Sequence, residues 1–371
     1  MIPVNEPLIG RQELRFVREC LKTGWISSEG RFIPAFEEGF AAAMGRGHGV
    51  AVNNGTNALI LALRALDLPA GSEVILPSFT IISCALACIY NGLVPVFVDA
   101  EADSWTMDPG QVAAAVGPKT RAVMAVHIYG HPAPMGEITA IAERHRLQIV
   151  EDFAEGIGSE VAGQPCGSFG RVSCTSFYAN KLISTGEGGM CLTDDEKLAA
   201  TMRRLRNLAF LPEQRFVHQE LGFNFRMTNI QAAIGLGQMQ TLKARLKKKT
   251  AMARRYRSLL AGLARRGLIA LPAEPPGIVN SYWMYGIVLT EKCGRTAADV
   301  IRELAARGVQ TRPFFYPLHR QPAFRAFPWF RETSLPVSEG LYLRGLYLPS
   351  GLTLKKEQMG QVAAALEEVL R

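Results

Sequence analysis

The sequence predicts an α/β protein: a mostly parallel sheet with helices on both faces, followed by a smaller α+β domain. Three observations carry this expectation. Short β-branched runs alternate with helical stretches through the first half of the chain, the pattern of successive βαβ units. The chain has 371 residues, enough for about two domains. After Asn229 the alternation stops, and a long Ala-, Gln-, Lys- and Arg-rich helical region runs to about Arg266, ahead of Pro272, Pro275 and Pro276.

Taken in order, an N-terminal arm leads into a helix over Gly10–Lys22. Strands are expected at Gly49–Val52, Glu73–Pro77, Val94–Asp99, Ala122–Tyr129, Leu147–Asp152, Val172–Phe177 and Gly189–Thr193. Helices are expected between the early ones, at Thr56–Leu66, Thr80–Tyr90, Pro109–Val116 and Met135–His145. Within the first of these, Ala58–Leu66 (ALILALRAL) is apolar nearly all round. It should be buried between the sheet and a further layer, such as a second subunit. Beyond the prolines, a strand (Tyr282–Leu289), a helix (Ala297–Arg307), a short strand near Val309–Arg312 and a final helix from Thr353 form the smaller domain. The boundary falls near Leu242, inside the long helix, giving residues 1–241 and 242–371.

Composition removes several function classes. Hydrophobic residues at 48% and charged residues at 20% argue against disorder. Seven scattered cysteines, with no secretory signal at the start, fit reduced buried thiols in a cytoplasmic protein. The net charge is +8, but its densest run, Lys243–Arg257, reads as a solvated helix face. No nucleic-acid-binding motif surrounds it, so no nucleic-acid partner is expected. The uncharged stretch between Glu73 and Asp99 is cut by Pro77, Asn91, Gly92 and Pro95. Its pieces fall short of the ~20 apolar residues of a membrane span, so no membrane partner is expected.

In open α/β sheets ligands bind beyond the carboxyl ends of the strands, so the residues just after each strand matter most. After the first strand come Asn53-Asn54-Gly55-Thr56-Asn57. A Gly and a hydroxyl at a helix start form an anion site or, equally, a simple N-cap. Gly45, Gly47 and Gly49 precede that strand, so they are not a dinucleotide fingerprint. After the fifth strand comes Asp152, a carboxylate at the sheet edge that needs a partner: a cationic heterocycle, or the amides of a following helix. After the sixth come Ser176 and Lys181, ahead of Gly186, Gly188 and Gly189. A lysine between an aromatic strand end and a Gly-rich turn can act as an amine nucleophile, although alone it reads as a surface residue. Together, an anion cradle, a carboxylate for a ring nitrogen and a lysine for an imine are what pyridoxal phosphate requires. His127 and His131 flank Tyr129, but no Cys or carboxylate accompanies them in sequence, and no metal is expected.

These residues resemble the DegT/DnrJ/EryC1/StrS sugar aminotransferases, which have the aspartate-aminotransferase-like, type I pyridoxal-phosphate fold. The resemblance spans nearly the whole chain. It runs through TGWISSEGRFIPAFE (Thr23–Glu37), NNGTNAL (Asn53–Leu59), VPVFVD (Val94–Asp99), HIYGHP (His127–Pro132), VEDFAEGIGS (Val150–Ser159), SFYANKLISTGEGGM (Ser176–Met190) and GFNFRMTNIQAAIGL (Gly222–Leu236).

The resemblance implies that Lys181 bonds the cofactor and shuttles the proton, and that Asp152 keeps the ring nitrogen protonated. It places Glu155 near the ring hydroxyl. It assigns the phosphate to Gly55, Thr56, Asn57 and Ser176, with Asn224 reaching it from the other subunit of a homodimer. It implies L-glutamate as donor and a nucleotide-linked 4-keto-6-deoxy sugar, aminated at C4, as acceptor; amination at C3 or C4 of a dTDP- or UDP-sugar, or a non-catalytic cofactor-binding regulator, is the alternative. Trp25, Arg226 and His319 become candidates for the sugar nucleotide. Arg312 either binds the donor carboxylate or braces the small domain. Two departures stand out. Ile81 occupies the place where many relatives stack an aromatic ring on the cofactor, which leaves aliphatic stacking or a neighbour such as Phe79. Phe153 replaces the usual Ala. Lys181 itself favours transamination over the dehydration run by a branch with histidine there.

Overall fold

A computed structural model describes residues 1–371 except positions 212, 214 and 215. The chain enters through helices α1 (Arg11–Thr23) and α2 (Phe32–Ala43). It then alternates: β1 (His48–Val52), α3 (Gly55–Ala65), β2 (Glu73–Pro77), α4 (Ser83–Tyr90), β3 (Val94–Val98), α5 (Pro109–Ala114), β4 (Thr120–Val126), α6 (Met135–His145) and β5 (Gln148–Asp152). A short hairpin, β6 (Glu160–Val161) and β7 (Gln164–Pro165), precedes β8 (Val172–Ser176), β9 (Gly189–Thr193) and α7 (Glu196–Arg206).

The main sheet has seven strands in the order β1-β9-β8-β5-β4-β2-β3. Neighbours from β3 through β8 are parallel, and β9 runs antiparallel to both β1 and β8. The carboxyl ends of β1, β5 and β8 therefore emerge on one edge, where the strand-by-strand reading places the candidate residues. Runs such as Val74–Leu76 and Ala122–Ala125 are wholly buried, as strands covered on both faces require.

Helix α3 needs no second subunit to bury it. Its outer face lies under α4 and α7, so Leu61 and Ala62 are already fully enclosed in one chain. This corrects the expectation of a subunit cover.

The long helical region is two helices, α8 (Asn229–Met239) and α9 (Leu242–Arg265), separated at Gln240 and Thr241. After them come β10 (Ile269–Ala270), β11 (Ile278–Val279), β12 (Tyr285–Leu289), α10 (Ala297–Ala306), β13 (Arg312–Pro313), α11 (Pro336–Arg344), β14 (Gly345–Leu348) and α12 (Lys356–Val369). A four-stranded sheet, β10-β12-β14-β13, packs on α9, α10 and α12 around its own core, which includes Tyr256, Leu260, Ile287, Leu346 and Leu366. Ile2 belongs to that core and bridges Val309, so the first residues of the chain pack with the last sheet.

The basic run Lys243–Arg257 is not simply a solvated face. Arg245 and Lys249 are 5% and 4% exposed, on the stripe that also buries Met252 and Tyr256. Residues four and seven apart share a helix face, and α9 turns this one inward. Arg245 answers burial by pairing with Glu13 at 3.2 Å.

Candidate active site

A cleft of about 350 Å³ opens beyond the carboxyl ends of β1, β5 and β8. On its wall is Asp152, the last residue of β5 and only 4% exposed. Its Oδ1 accepts the Ala154 amide at 3.0 Å, and its Oδ2 accepts the Cys84 thiol at 3.3 Å. Burial pushes this carboxyl above the usual range. Among the described residues no cationic side chain hydrogen-bonds it, so a cationic group of a ligand would relieve that cost.

Lys181 stands in the turn after β8 with Nζ 3.5 Å from Glu155 Oε1. The same nitrogen sits 3.7 Å from the ring centre of Trp283. Glu155 is held from the other side, where Oε2 accepts the Tyr129 amide at 2.9 Å. That amide is turned inward by a sharp reversal after β4, with φ of 52° at Tyr129 and 96° at Gly130. A tyrosine in the left-handed region is uncommon and marks backbone strain beside the site. Burial raises the Glu155 carboxyl to about 7.

The anion end is built on α3. Asn54 caps the helix, its Oδ1 taking the Asn57 amide at 2.8 Å, while Asn57 Nδ2 donates to Asn53 Oδ1. Asn57 is thus spent on the cap, and the first-turn residues that line the cleft are Gly55 and Thr56, whose amides have no acceptor within the helix. Gly55 is required there: a Cβ would lie 2.7 Å from that of Ser176. Ser176 Oγ accepts the Tyr178 amide at 3.2 Å, which leaves its hydroxyl hydrogen to donate. Beside it the buried Thr175 Oγ1 has no hydrogen-bond partner. An orphaned hydroxyl, a glycine-lined helix start, an uncompensated buried carboxylate and one amine fit pyridoxal phosphate at its phosphate, ring nitrogen and aldehyde.

Of the expected site residues, Gly55, Thr56, Ile81, Asp152, Glu155, Ser176 and Lys181 line this one cleft. Asn57 lies beside it. Asn224 is exposed and bonds Arg226 at 2.9 Å, on a segment that pairs with Val52 at the end of β1 and with Asn207, and neither Asn224 nor Arg226 lines the cleft. Trp25 is 54% exposed, also outside it. His319 needs correcting as a ligand contact in this chain. It is 1% exposed, with Nδ1 at 2.7 Å from Ser78 Oγ and Nε2 at 3.0 Å from Glu339, so it ties the loop before α11 to the end of β2. Phe79 is fully buried against Tyr129, Phe314 and Phe315, while Ile81 sits on the cleft wall, 44% exposed. Phe153 is fully buried against Phe40. Arg312 is exposed on β13.

The sequence reading missed Tyr178, Trp283, Phe315 and Tyr347, all of which line the cleft. Trp283 and Tyr347 arrive with the small sheet, and no local spacing ties them to Lys181. The aromatic run SYWMYG, which leads into β12, is the signal that Trp283 leaves.

His127 does acquire a carboxylate and a thiol, contrary to the reading from sequence neighbours. Glu151 and Cys166 lie within 4.8 Å of it. These groups are already engaged. The Ala133 amide donates to Nδ1 at 2.9 Å, so the ring proton is on Nε2, which donates to Glu151 at 2.8 Å. Glu151 also accepts the amides of Gly167 and Phe169. The cluster braces the strand edge behind Asp152, and a metal there would have to break those bonds.

Among the described residues no helix is long and apolar enough to cross a membrane. The model of the DegT/DnrJ/EryC1/StrS aminotransferase family matches residues 7–367. The chain is 40% identical over 369 residues to a GDP-perosamine synthase of Caulobacter vibrioides, covering 100% of this chain and 98% of that one. It is 35% identical to a GDP-perosamine synthase of Vibrio cholerae, covering 99% and 98%. The crystal structure of the aminotransferase TlmJ from Streptoalloteichus hindustanus superimposes with a TM-score of 0.92 at 30% identity, over 100% of this chain and 99% of that one.

Proposed function

Because the chain belongs to the DegT/DnrJ/EryC1/StrS aminotransferase family, we propose that it moves an amino group from L-glutamate to the 4-keto carbon of a GDP-linked 4-keto-6-deoxy sugar. It is a nucleotide-sugar aminotransferase that uses pyridoxal phosphate. The choice of GDP and of C4 rests on its likeness to two GDP-perosamine synthases. The observation that carries the site assignment is that Lys181, Asp152 and the first turn of α3 face a single cleft.

Bound there, pyridoxal phosphate supplies an electron sink for cleavage of a C–H bond beside the transferred nitrogen. This chain's residues do the rest. The amides of Gly55 and Thr56 and the Ser176 hydroxyl hold the phosphate at the positive end of α3. Asp152 keeps a proton on the ring nitrogen, and its own cost of burial makes that pairing favourable. Lys181 bonds the cofactor and, when free, carries a proton at Nζ to and from the reacting carbon. Glu155 balances the ammonium across 3.5 Å. Tyr178, Phe315 and Tyr347 wall the cleft against water.

The working unit in this reading is a homodimer. Asn224 and Arg226 do not line their own cleft, and Asn224 is exposed, so they suit a neighbour's phosphate or sugar nucleotide. Exposed Trp25, Ile26 and Leu221, at 54%, 48% and 84%, give a partner apolar surface to cover. The protein acts in the cytoplasm, where nucleotide sugars are made, without nucleic-acid or membrane partners.

The test is direct. Purified protein loaded with pyridoxal phosphate is mixed with L-glutamate, and the cofactor spectrum is followed as the amine is transferred. The aminated cofactor form is then offered GDP-, dTDP- and UDP-linked 4-keto sugars. Turnover with the GDP sugar alone is the expected result. Preference for another nucleotide would move the substrate assignment, and no spectral response to glutamate would favour a non-catalytic regulator.

A further inference from the structure

The lysine of the cleft is held by groups that the transamination scheme does not use. Trp283 grips it twice. Its ring face lies 3.7 Å from Lys181 Nζ. Its indole N–H donates at 2.8 Å to the carbonyl of Asn180, the oxygen of the peptide bond that begins Lys181. Asn5, from the N-terminal arm, donates to the same oxygen at 2.7 Å. Both the backbone and the tip of Lys181 are thus set by one side chain from the small sheet.

Trp283 is itself anchored. Its own carbonyl accepts from Lys249 Nζ at 2.8 Å, and the same ammonium donates to the Ser350 carbonyl at 2.5 Å. Ser350 in turn accepts the Tyr285 amide on its hydroxyl and donates its amide to Val4. The Trp283 ring stacks on Tyr129 at 6.1 Å and 20°. Lys249 is fully enclosed and, among the described residues, has no ion-pair partner. A buried lysine aimed only at two backbone carbonyls is a costly tether for a wall that burial of Trp283 alone could hold. Its position is explained if that wall must be fixed in register with the reactive amine.

We propose that Trp283, tethered by Lys249, is a positioning residue for Lys181. The indole face parks the free ammonium at the mouth of the cleft, and the indole N–H fixes the backbone from which it swings. An amine resting there is pre-oriented for bond formation, which lowers the entropic cost of reaching the aldehyde. Trp283 does not itself exchange protons with substrate. The inference rests on Lys181 being the amine that bonds the cofactor.

The experiment separates positioning from binding. Apo-protein is mixed rapidly with pyridoxal phosphate, and the rate of covalent capture is read from absorbance and from borohydride fixation. In parallel, affinity is measured for pyridoxamine phosphate, which forms no bond with lysine. Trp283→Leu is expected to slow capture at least about ten-fold while pyridoxamine phosphate affinity stays within about two-fold. Trp283→Phe keeps the face and loses the N–H, and should fall between. Lys249→Met should slow capture in the same direction with the indole still present.

Wild-type capture rates in both Trp283→Leu and Lys249→Met would overturn the proposal. So would an equal loss of pyridoxamine phosphate affinity, which would make Trp283 a simple wall. If Trp283→Leu fails to fold, Trp283→Phe and Lys249→Met decide by the same two readouts. Wild-type protein that captures no aldehyde would instead bring down the reading of Lys181, and this inference with it.

Discussion

The thiol of Cys84 lies 3.3 Å from Oδ2 of Asp152, so the buried carboxylate of the cleft is steadied by a side chain from α4. Burial holds that thiol well above its ordinary range, which keeps it protonated and able to donate. Among the described residues the only other donor to the Asp152 carboxylate is the Ala154 amide, at 3.0 Å. Cys84→Ala removes one of two hydrogen bonds, worth about 0.5–1.5 kcal/mol. Cofactor affinity is expected to weaken about 3- to 10-fold, with Cys84→Ser staying near wild type. Equilibrium binding of pyridoxamine phosphate measures this. An unchanged affinity in Cys84→Ala would show that Asp152 needs no help from α4.

Lys181→Ala should leave a folded protein that binds cofactor without a covalent link. Borohydride should fix nothing at that position, and turnover should fall by about 10²- to 10⁴-fold or more. Substantial turnover in this variant would remove the lysine from the reaction.

In the proposed homodimer, Asn224→Ala should weaken cofactor binding, because the neighbouring subunit's phosphate would lose a donor. Mixed with Lys181→Ala under conditions that exchange subunits, it should restore part of the activity. One site of each heterodimer then has both wild-type residues. No recovery in demonstrated heterodimers would count against a shared site.

Lys249 should leave a mark on stability against pH. Burial lowers it from its ordinary 10.5 to about 7. Between those values the unfolded chain holds more protons than the folded one, so stability rises with pH across that window. As pH falls through about 7, the folded protein must carry a buried ammonium and the gain is lost. Lys249→Met has no such group. The difference in unfolding midpoint, wild type minus variant, should therefore increase from pH 7 toward pH 10. A flat difference would show that the amine is not desolvated.

His319→Ala should act on folding. The ring joins Ser78 to Glu339, and its loss leaves a buried hydroxyl without that partner. A cost of about 1–3 kcal/mol is expected in denaturant unfolding. No change in stability would reopen a ligand role for this residue.

What the sequence determined by itself lies in local pattern. The strands Glu73–Pro77 and Gly189–Thr193 and the helix Met135–His145 stand where apolar runs and breakers put them. Gly55, Thr56, Asp152, Ser176 and Lys181 were legible because each sits at or just beyond a strand end, and strand ends of a parallel sheet converge on one edge. Tertiary structure decided the rest. It buried Lys249 inside a run that reads as solvated, since only the partner surface tells a helix which charged stripe faces inward. It spent Asn57 on a cap and His319 on a tie, because the partners that claim a side chain's hydrogen bonds leave no trace in spacing. It brought Trp283 and Tyr347 to Lys181 from the small sheet. The contact between Lys181 and Trp283 closes a loop of about a hundred residues. Such contacts are set by the packing of whole sheets, which no local periodicity encodes.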